Sequence, residues 1–184
     1  GPHGVTVTLA DGQVLEGSLM VAAEGRASPT REEAGFTLAR WDYRHRAIVT
    51  ALWHAKPHEG VAWEIFYPTG PFALLPLRDA EDGRHRSALV WTIPAKDAAA
   101  FAAMGERAFV GEVAARLCGL LGEVGLAAPR NSYPLRFHHS GRLVDERLAL
   151  VGDAAHGMHP IAGQGFNLGL RDVGALVEVL ADGM

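Results

Sequence analysis

Residues 148–172, LALVGDAAHGMHPIAGQGFNLGLRD, constrain the fold of this chain more than any other stretch. Four apolar residues, Leu148 to Val151, read as a buried strand, and Gly152-Asp153 then stand at its carboxyl end. In open α/β sheets, ligands gather at that edge. An aspartate there can accept hydrogen bonds from a polyol, and small Ala154 and Ala155 are expected to let a ligand approach. Gly163-Gln164-Gly165 then predicts the opening of a helix. Its first N–H groups lack intrahelical partners and carry the positive end of the helix dipole, which suits an anion or a developing negative charge. The same segment predicts a helix over 163–181, with Phe166, Leu170, Val173, Leu176 and Leu180 on one apolar stripe.

The remainder divides by pattern. Val5 to Leu9 alternate and meet Asp11-Gly12, which predicts a hairpin returning through Val14-Leu15. Leu19 to Ala23 read as a short strand buried on both faces, stopped by Glu24-Gly25-Arg26. The runs 46–54, 61–67, 72–77 and 86–93 are rich in β-branched and aromatic residues and are separated by turn residues. They predict an antiparallel meander. A short helix is expected over 97–104, then a second with Phe109, Val113, Leu117 and Leu121 spaced by four on its core face. Ser132 to His138 and Arg147 to Val151 are again strand-like.

Composition excludes several classes. The formal net charge is −4 with 17 Lys+Arg and 21 Asp+Glu, which leaves no basic footprint for nucleic acid. No window approaches the length of uninterrupted apolar residues that spans a bilayer. The opening Gly1-Pro2-His3-Gly4 lacks a methionine and is not a signal peptide, so a tag scar or an internal start is expected. Cys118 is the single cysteine and is expected to be a buried thiol in a reducing cytoplasm.

Taken in order, the acid, proline, Gly-x-Gly, Asn and acid of residues 153–172 resemble the second flavin-binding motif of the flavoprotein monooxygenases related to para-hydroxybenzoate hydroxylase. Within that superfamily the chain is most similar to the ubiquinone-biosynthesis hydroxylases, such as 2-octaprenyl-6-methoxyphenol hydroxylase. The resemblance implies that Gly152 and Asp153 meet the ribityl chain of FAD. It implies that Pro160 borders the substrate side of the ring, that N–H groups at Gly163, Gln164 and Gly165 face the ring's N1–C2=O edge, and that Asn167 fixes that loop. A second match is AEGRASPTR, residues 23–31, similar to a motif that touches FAD and the passing NAD(P)H. Gly25, Ser28 and Arg31 fit it, while Glu24 stands where aspartate is usual. KPHEGVAWEIFYPTGPFALLPL (56–77) and RSALVWTIP (86–94) resemble the substrate-domain sheet of the same hydroxylases.

The implied fold class is α/β, or α+β for the chain as it stands: a partial FAD-binding domain with a mostly antiparallel substrate-domain sheet. The implied domains are 1–34 (FAD-binding, hairpin and Glu-Gly motif), 35–138 (substrate sheet with helices) and 139–184 (return to the FAD-binding domain). The family's opening Gly-x-Gly-x-x-Gly turn is absent from the sequence, so the chain is expected to be an internal fragment. As such it is expected to be inactive and not to retain FAD. The intact parent is expected to be an FAD-dependent monooxygenase that hydroxylates a polyprenyl phenol in ubiquinone biosynthesis with NAD(P)H and O2. Its expected setting is the cytoplasm, with contact to the inner membrane face or to a ubiquinone-synthesis complex left open, and no nucleic-acid partner. The alternatives are a hydroxylase of a soluble aromatic or a related flavin oxidoreductase, and, in another class, a non-catalytic piece that keeps only fold and interaction surface.

Other side chains carry weaker signals. His156 and His159, with adjacent His138 and His139, raise a metal site, but nothing rich in cysteine or carboxylate accompanies them, so none is expected. His156 is expected to structure the motif's loop. Glu64 lies on an alternating strand, where a solvated face is the default reading and an inward acid near the phenol the functional alternative. Trp41, Trp53, Trp63 and Trp91 are expected mainly to pack the sheet, with one or two able to line a hydrophobic substrate cavity instead. No side chain is a convincing general acid or base, and neither Ser28 nor Ser140 sits in a nucleophile elbow.

Overall fold

The computed structural model describes residues 3–183, so Gly1 and Pro2 of the opening segment and Met184 lie outside the described residues. The chain forms two compact units. One runs to Asp42 and resumes at Arg136; the other is Tyr43–Leu135.

The first unit opens with β1 (Val5–Thr8) and β2 (Val14–Gly17), paired antiparallel with Val5 opposite Gly17 and Thr8 opposite Val14. The Asp11 carboxylate accepts the Gln13 N–H at 2.9 Å in the turn between them. β3 (Met20–Ala22) follows, and the predicted two-sided burial holds only in part: Ala22 is buried, whereas Val21 is 44% exposed. The sequence pattern also passed over α1 (Pro29–Glu33), a helix of five residues. It forms because Pro29 presets the first helical residue and the Ser28 hydroxyl accepts the Arg31 N–H. β4 (Leu38–His54) starts in this unit and carries the chain into the second.

In the second unit, β4 is joined by β5 (Trp63–Tyr67), β6 (Gly70–Leu77) and β7 (His85–Pro94). The order β4-β7-β6-β5 is antiparallel throughout, as expected, but the expected meander holds only for β5, β6 and β7: β4 pairs with β7 rather than with the next strand in the chain. Along β7, Ser87, Leu89, Trp91 and Ile93 are all buried, so alternate residues face one core. Gly70 opens β6 at φ +135°, and a Cβ there would sit 2.7 Å from the Thr92 carbonyl oxygen. Only glycine allows that approach.

After α2 (Ala98–Ala103) and α3 (Glu106–Leu117), Phe109, Val113 and Leu117 join Ile48, Leu52, Phe72, Leu89 and Trp91 in one cluster. Leu121 belongs to the same core but lies past the helix end. Cys118 corrects the expectation of a buried thiol: it is exposed, because it caps α3 in the left-handed region at φ 47°. A short β8 (Val124–Leu126), also missed by the sequence pattern, pairs with the end of β4. Of the tryptophans, Trp91 packs the sheet as expected, but Trp41 is 66% exposed and Trp63 is 37% exposed. Glu64 is exposed on β5, and its partial burial holds the carboxyl above the ordinary range.

β9 (Asn131–Ser140) returns the chain to the first unit. There β10 (Val144–Asp145) pairs antiparallel with β11 (Leu148–Leu150), which in turn pairs in parallel with β3, Leu150 opposite Ala22. Ala22, Phe36, Leu148, Leu150 and Ala155 form this unit's core. β12 (His156–Gly157) pairs with β9, and α4 (Gly165–Asp182) ends the described chain. The helix begins at Gly165 rather than 163, because Gly163 adopts φ +60° and closes a preceding 3-10 turn. Its apolar stripe is present, but none of its residues is buried; Phe166 is 79% exposed. Among the described residues no helix is long and apolar enough to cross a membrane.

Candidate functional site

β11 delivers the chain to Gly152, whose φ of +59° turns it sharply into a 3-10 turn, Gly152–Ala154. The Asp153 carboxylate emerges from this turn half-exposed and accepts the Arg26 Nε–H at 3.1 Å. The Arg26 Nη1 also donates to the Arg136 carbonyl at 3.0 Å. Behind the turn, the His138 Nε2–H donates to the Asp153 carbonyl at 2.8 Å. Burial depresses the His138 pKa, and the positive charges of Arg26 and Arg31 add to that, while the Asp153 carbonyl and carboxylate oppose it; the net result is a shift below the ordinary histidine value. Ala154 and Ala155 correct the reading of them as ligand-facing: both are completely buried and pack inward.

From His159 onward the backbone is shaped locally. The His159 Nδ1 accepts the Ile161 N–H at 3.1 Å, and Pro160–Ala162 form a 3-10 turn that Gly163 closes. Gln164 is the N-cap of α4, yet no side chain caps that end. The Gln164 amide donates to the Ala162 carbonyl at 3.1 Å and accepts from the Asn167 amide at 3.2 Å. The Leu168 N–H reaches back to the Gln164 carbonyl, which leaves the N–H groups of Gly165, Phe166 and Asn167 ahead of the first intrahelical bond. Beside this end lies a cavity of about 350 Å³, lined by Gly25, Gly152, Asp153, Gly165, Phe166 and Gly169 among others. The structure thus brings Asp153, Gly152, Gly25 and Gly165 around one space.

The Glu-Gly stretch is arranged differently from a set of ligand-facing side chains. Gly25 has φ +85°. The Glu24 carboxylate accepts hydrogen bonds from the Ser28 and Thr30 hydroxyls. Burial alone would raise its pKa, but the Thr30 hydroxyl, its own N–H and the Ser28 hydroxyl outweigh that and hold it below the ordinary range. Arg31 is 1% exposed; its guanidinium donates to the Ala154 carbonyl and to the Arg26 carbonyl, each at 2.8 Å. It braces the two stretches against each other.

Arg26, Arg40, Trp41, Arg136 and His138 line a neighbouring cavity of about 580 Å³; sequence reasoning missed Arg40 and Arg136, and read Arg26 only as part of a strand stop and His138 only as a metal candidate. Arg40 pairs with Glu32 at 3.7 Å and Arg136 with Asp42 at 3.2 Å. Their arginines are scattered along the chain, so no local run of charge signals the cluster. Among the described residues, no three His, Cys, Asp or Glu side chains converge to hold a metal ion.

This architecture is the fold of FAD-dependent monooxygenases. The crystal structure of Pseudomonas aeruginosa PqsL in complex with 2-aminobenzoylacetate superposes with a TM-score of 0.79 at 25% identity, covering 96% of this chain and 48% of that one. The chain belongs to the FAD binding domain family, whose profile matches residues 3–184. Ubiquinone hydroxylase UbiL of Rhodospirillum rubrum is 46% identical over 177 residues, which cover 96% of this chain and 40% of UbiL. The mitochondrial ubiquinone biosynthesis monooxygenase COQ6 of Danio rerio is 35% identical over 211 residues, 96% of this chain and 43% of COQ6. The chain therefore spans roughly two fifths of the length of these curated relatives.

Proposed function

We propose that this chain is the flavin-edge and substrate-sheet portion of an FAD-dependent hydroxylase. The enzyme places one oxygen atom of O2 on the ring of a polyprenyl phenol in ubiquinone biosynthesis, with NAD(P)H as reductant. The observation that carries the reading is the groove at Asp153: a half-exposed carboxylate faces the same cavity as the uncapped start of α4. The names of the relatives supply the substrate class.

The residues fit such a cofactor. The carboxylate can accept from ribityl hydroxyls. A Cβ on Gly163 or Gly165 would meet nothing within 4 Å, so the backbone there lies open to a flat ring. The resemblance offers the N–H groups of Gly163, Gln164 and Gly165 to the ring's pyrimidine edge, but the Gly163 N–H already donates to the Pro160 carbonyl at 2.9 Å. The set therefore shifts to Gly165 to Asn167, where a helix N-terminus stabilises negative charge. FAD, when bound, supplies the two-electron and oxygen chemistry. The chain's own part is to hold and orient. Gly152 and Asp153 set the ribityl chain, Pro160 borders the substrate side, and Gln164 and Asn167 lock the loop between them. Gly25 lines the groove with its backbone, while the Glu24 and Arg31 side chains build the adjoining turn. The first unit is then part of the FAD-binding domain and the second the substrate domain. A polyprenyl tail implies substrate delivery from a membrane surface, with the enzyme on its cytoplasmic side.

A soluble aromatic is the second reading, favoured by the 2-aminobenzoylacetate in PqsL. Flavin titration of a full-length protein carrying this segment tests the site. Asp153→Ala is expected to weaken FAD binding by about tenfold to a hundredfold, the scale of one charged hydrogen bond. An unchanged affinity refutes the ribityl role. Substrate-stimulated NAD(P)H oxidation across polyprenyl and soluble phenols then separates the two substrate classes.

A further inference from the structure

Helix α4 carries Asp172 two turns in from its N-terminus, and one oxygen of that carboxylate makes two contacts. Oδ2 accepts the backbone N–H of Gly152 at 2.8 Å and the His156 Nε2–H at 2.8 Å. The group is sheltered, with side-chain exposures of 13% for His156 and 18% for Asp172. Shelter strengthens such charge-assisted bonds and makes losing them costly. Gly152 and His156 flank the turn that presents Asp153, so a single atom clamps both ends of that turn. The clamp sits on the helix whose first N–H groups form the other wall of the groove. A glycine pair makes the approach close: a Cβ on Gly169 would lie 3.2 Å from the Gly152 Cα.

We propose that Asp172 is a positioning residue of the FAD site. Through Gly152 and His156 it fixes the distance between the Asp153 carboxylate and the N–H end of α4, so that one ligand can touch both. The inference rests on the flavin reading of the groove and adds a residue that never meets the ligand. A misplacement of about 1 Å in a positioned site is enough to lose much of an interaction. The role needs the carboxylate's geometry as an acceptor more than its charge. Asparagine at 172 can still offer one oxygen to the two donors; alanine cannot.

The test is a double-mutant cycle on a full-length flavoprotein containing this segment, read as FAD affinity by titrating the apoprotein. Asp172→Ala is expected to raise the FAD Kd about tenfold, equivalent to about 1.4 kcal/mol. Asp172→Asn should recover most of that loss. Because Asp172 acts through Asp153, the Asp153→Ala/Asp172→Ala protein should bind hardly less well than Asp153→Ala alone. A merely structural role predicts instead that the two effects multiply, and that outcome overturns the proposal, as does an Asp172→Ala affinity equal to the parent's. If Asp172→Ala does not accumulate as folded protein, Gly169→Ala gives the same reading by pushing the helix off the turn. It should cost about tenfold in FAD affinity, and an unchanged affinity overturns the proposal. An Asp153→Ala protein that binds FAD normally has a different signature: it removes the flavin reading itself.

Discussion

Replacing Gly157 by alanine should damage the site without touching any groove-lining residue. Gly157 and His138 are cross-strand partners in β12 and β9. A Cβ built on Gly157 lies 2.4 Å from His138 Cε1, 2.7 Å from Nδ1 and 2.9 Å from the Arg26 Nη2. Carbon atoms rest at about 3.5–4.0 Å, so the imidazole must move by roughly 1 Å. It has little room, being only 7% exposed, and its Nε2–H already donates to the Asp153 carbonyl at 2.8 Å. Displacement breaks that bond and leaves the carbonyl short of a partner, a loss of about 1–3 kcal/mol. Overpacking adds about 1–3 kcal/mol. Relief in one term worsens the other, so a net destabilisation of about 3 kcal/mol is expected.

The assay is urea unfolding followed by FAD titration of the same variant. The midpoint should fall at an unchanged m-value, which marks a change in stability rather than in surface exposed. FAD affinity should fall as well, since the displaced carbonyl belongs to Asp153 and the crowded guanidinium is the one that pairs with its carboxylate. A Gly157→Ala protein with the parent's midpoint and the parent's FAD affinity refutes the reasoning. It would mean that β12 slides away from β9 at little cost.

Three further outcomes follow from single groups. Because burial depresses the folded-state pKa of His138 below 6.5, the unfolded chain takes up the proton first as pH falls. Stability from this group is therefore complete above pH 6.5 and is lost on acidification below it; urea midpoints across that window should fall, and His138→Gln should flatten the slope. Arg31→Ala should destabilise by about 3 kcal/mol, since it leaves a cavity and strips two carbonyls of their donor; a midpoint equal to the parent's would show that Arg31 braces nothing. Gly111→Ala should stabilise α3 by about 0.5–1 kcal/mol, because the residue is within a helix and a Cβ there meets nothing within 4 Å. A thermal melt is enough to check its sign.

What could be read in the sequence divides along the range of the forces involved. The meander β5-β6-β7 was legible because each strand carries its own pattern of β-branched and aromatic residues, and short turns leave antiparallel pairing as the available outcome. The pairing of β4 with β7 joins strands that are not consecutive and shows in no local pattern. The start of α4 was legible to within two residues, and so was the place of Asp153, because both are set by neighbours in the chain: an apolar strand, a proline, glycines at φ +59° and +60°. Elements held by few residues were not legible. α1 and β8 are too short to show a period, and they exist through a cap and a partner strand. Local pattern also misplaced individual side chains. It put Cys118 inside, although it is a helix cap, and Ala154 and Ala155 toward a ligand, although the core claims them.

Apart from those of Asp172 and Asn167, the contacts that make a site of the motif come from outside it. Arg26 meets Asp153 because β3 and β11 pair in parallel, which brings the two strand ends to the same edge. Arg31 is invisible as a brace for the same reason: in sequence it is a charge after Thr30, and only the fold places its guanidinium under the Ala154 carbonyl. The motif's glycines and acid specify a turn and a helix start, each of which forms from nearby residues alone. Their relative placement is a separate condition, set by Asp172 from within the helix and by His138 and Arg31 from behind the turn. A substitution in that supporting set leaves the groove's own residues intact while moving them apart. FAD affinity and stability should therefore fall together for Gly157→Ala and Arg31→Ala. Asp153→Ala should lower affinity alone, because its half-exposed ion pair with Arg26 contributes little to stability.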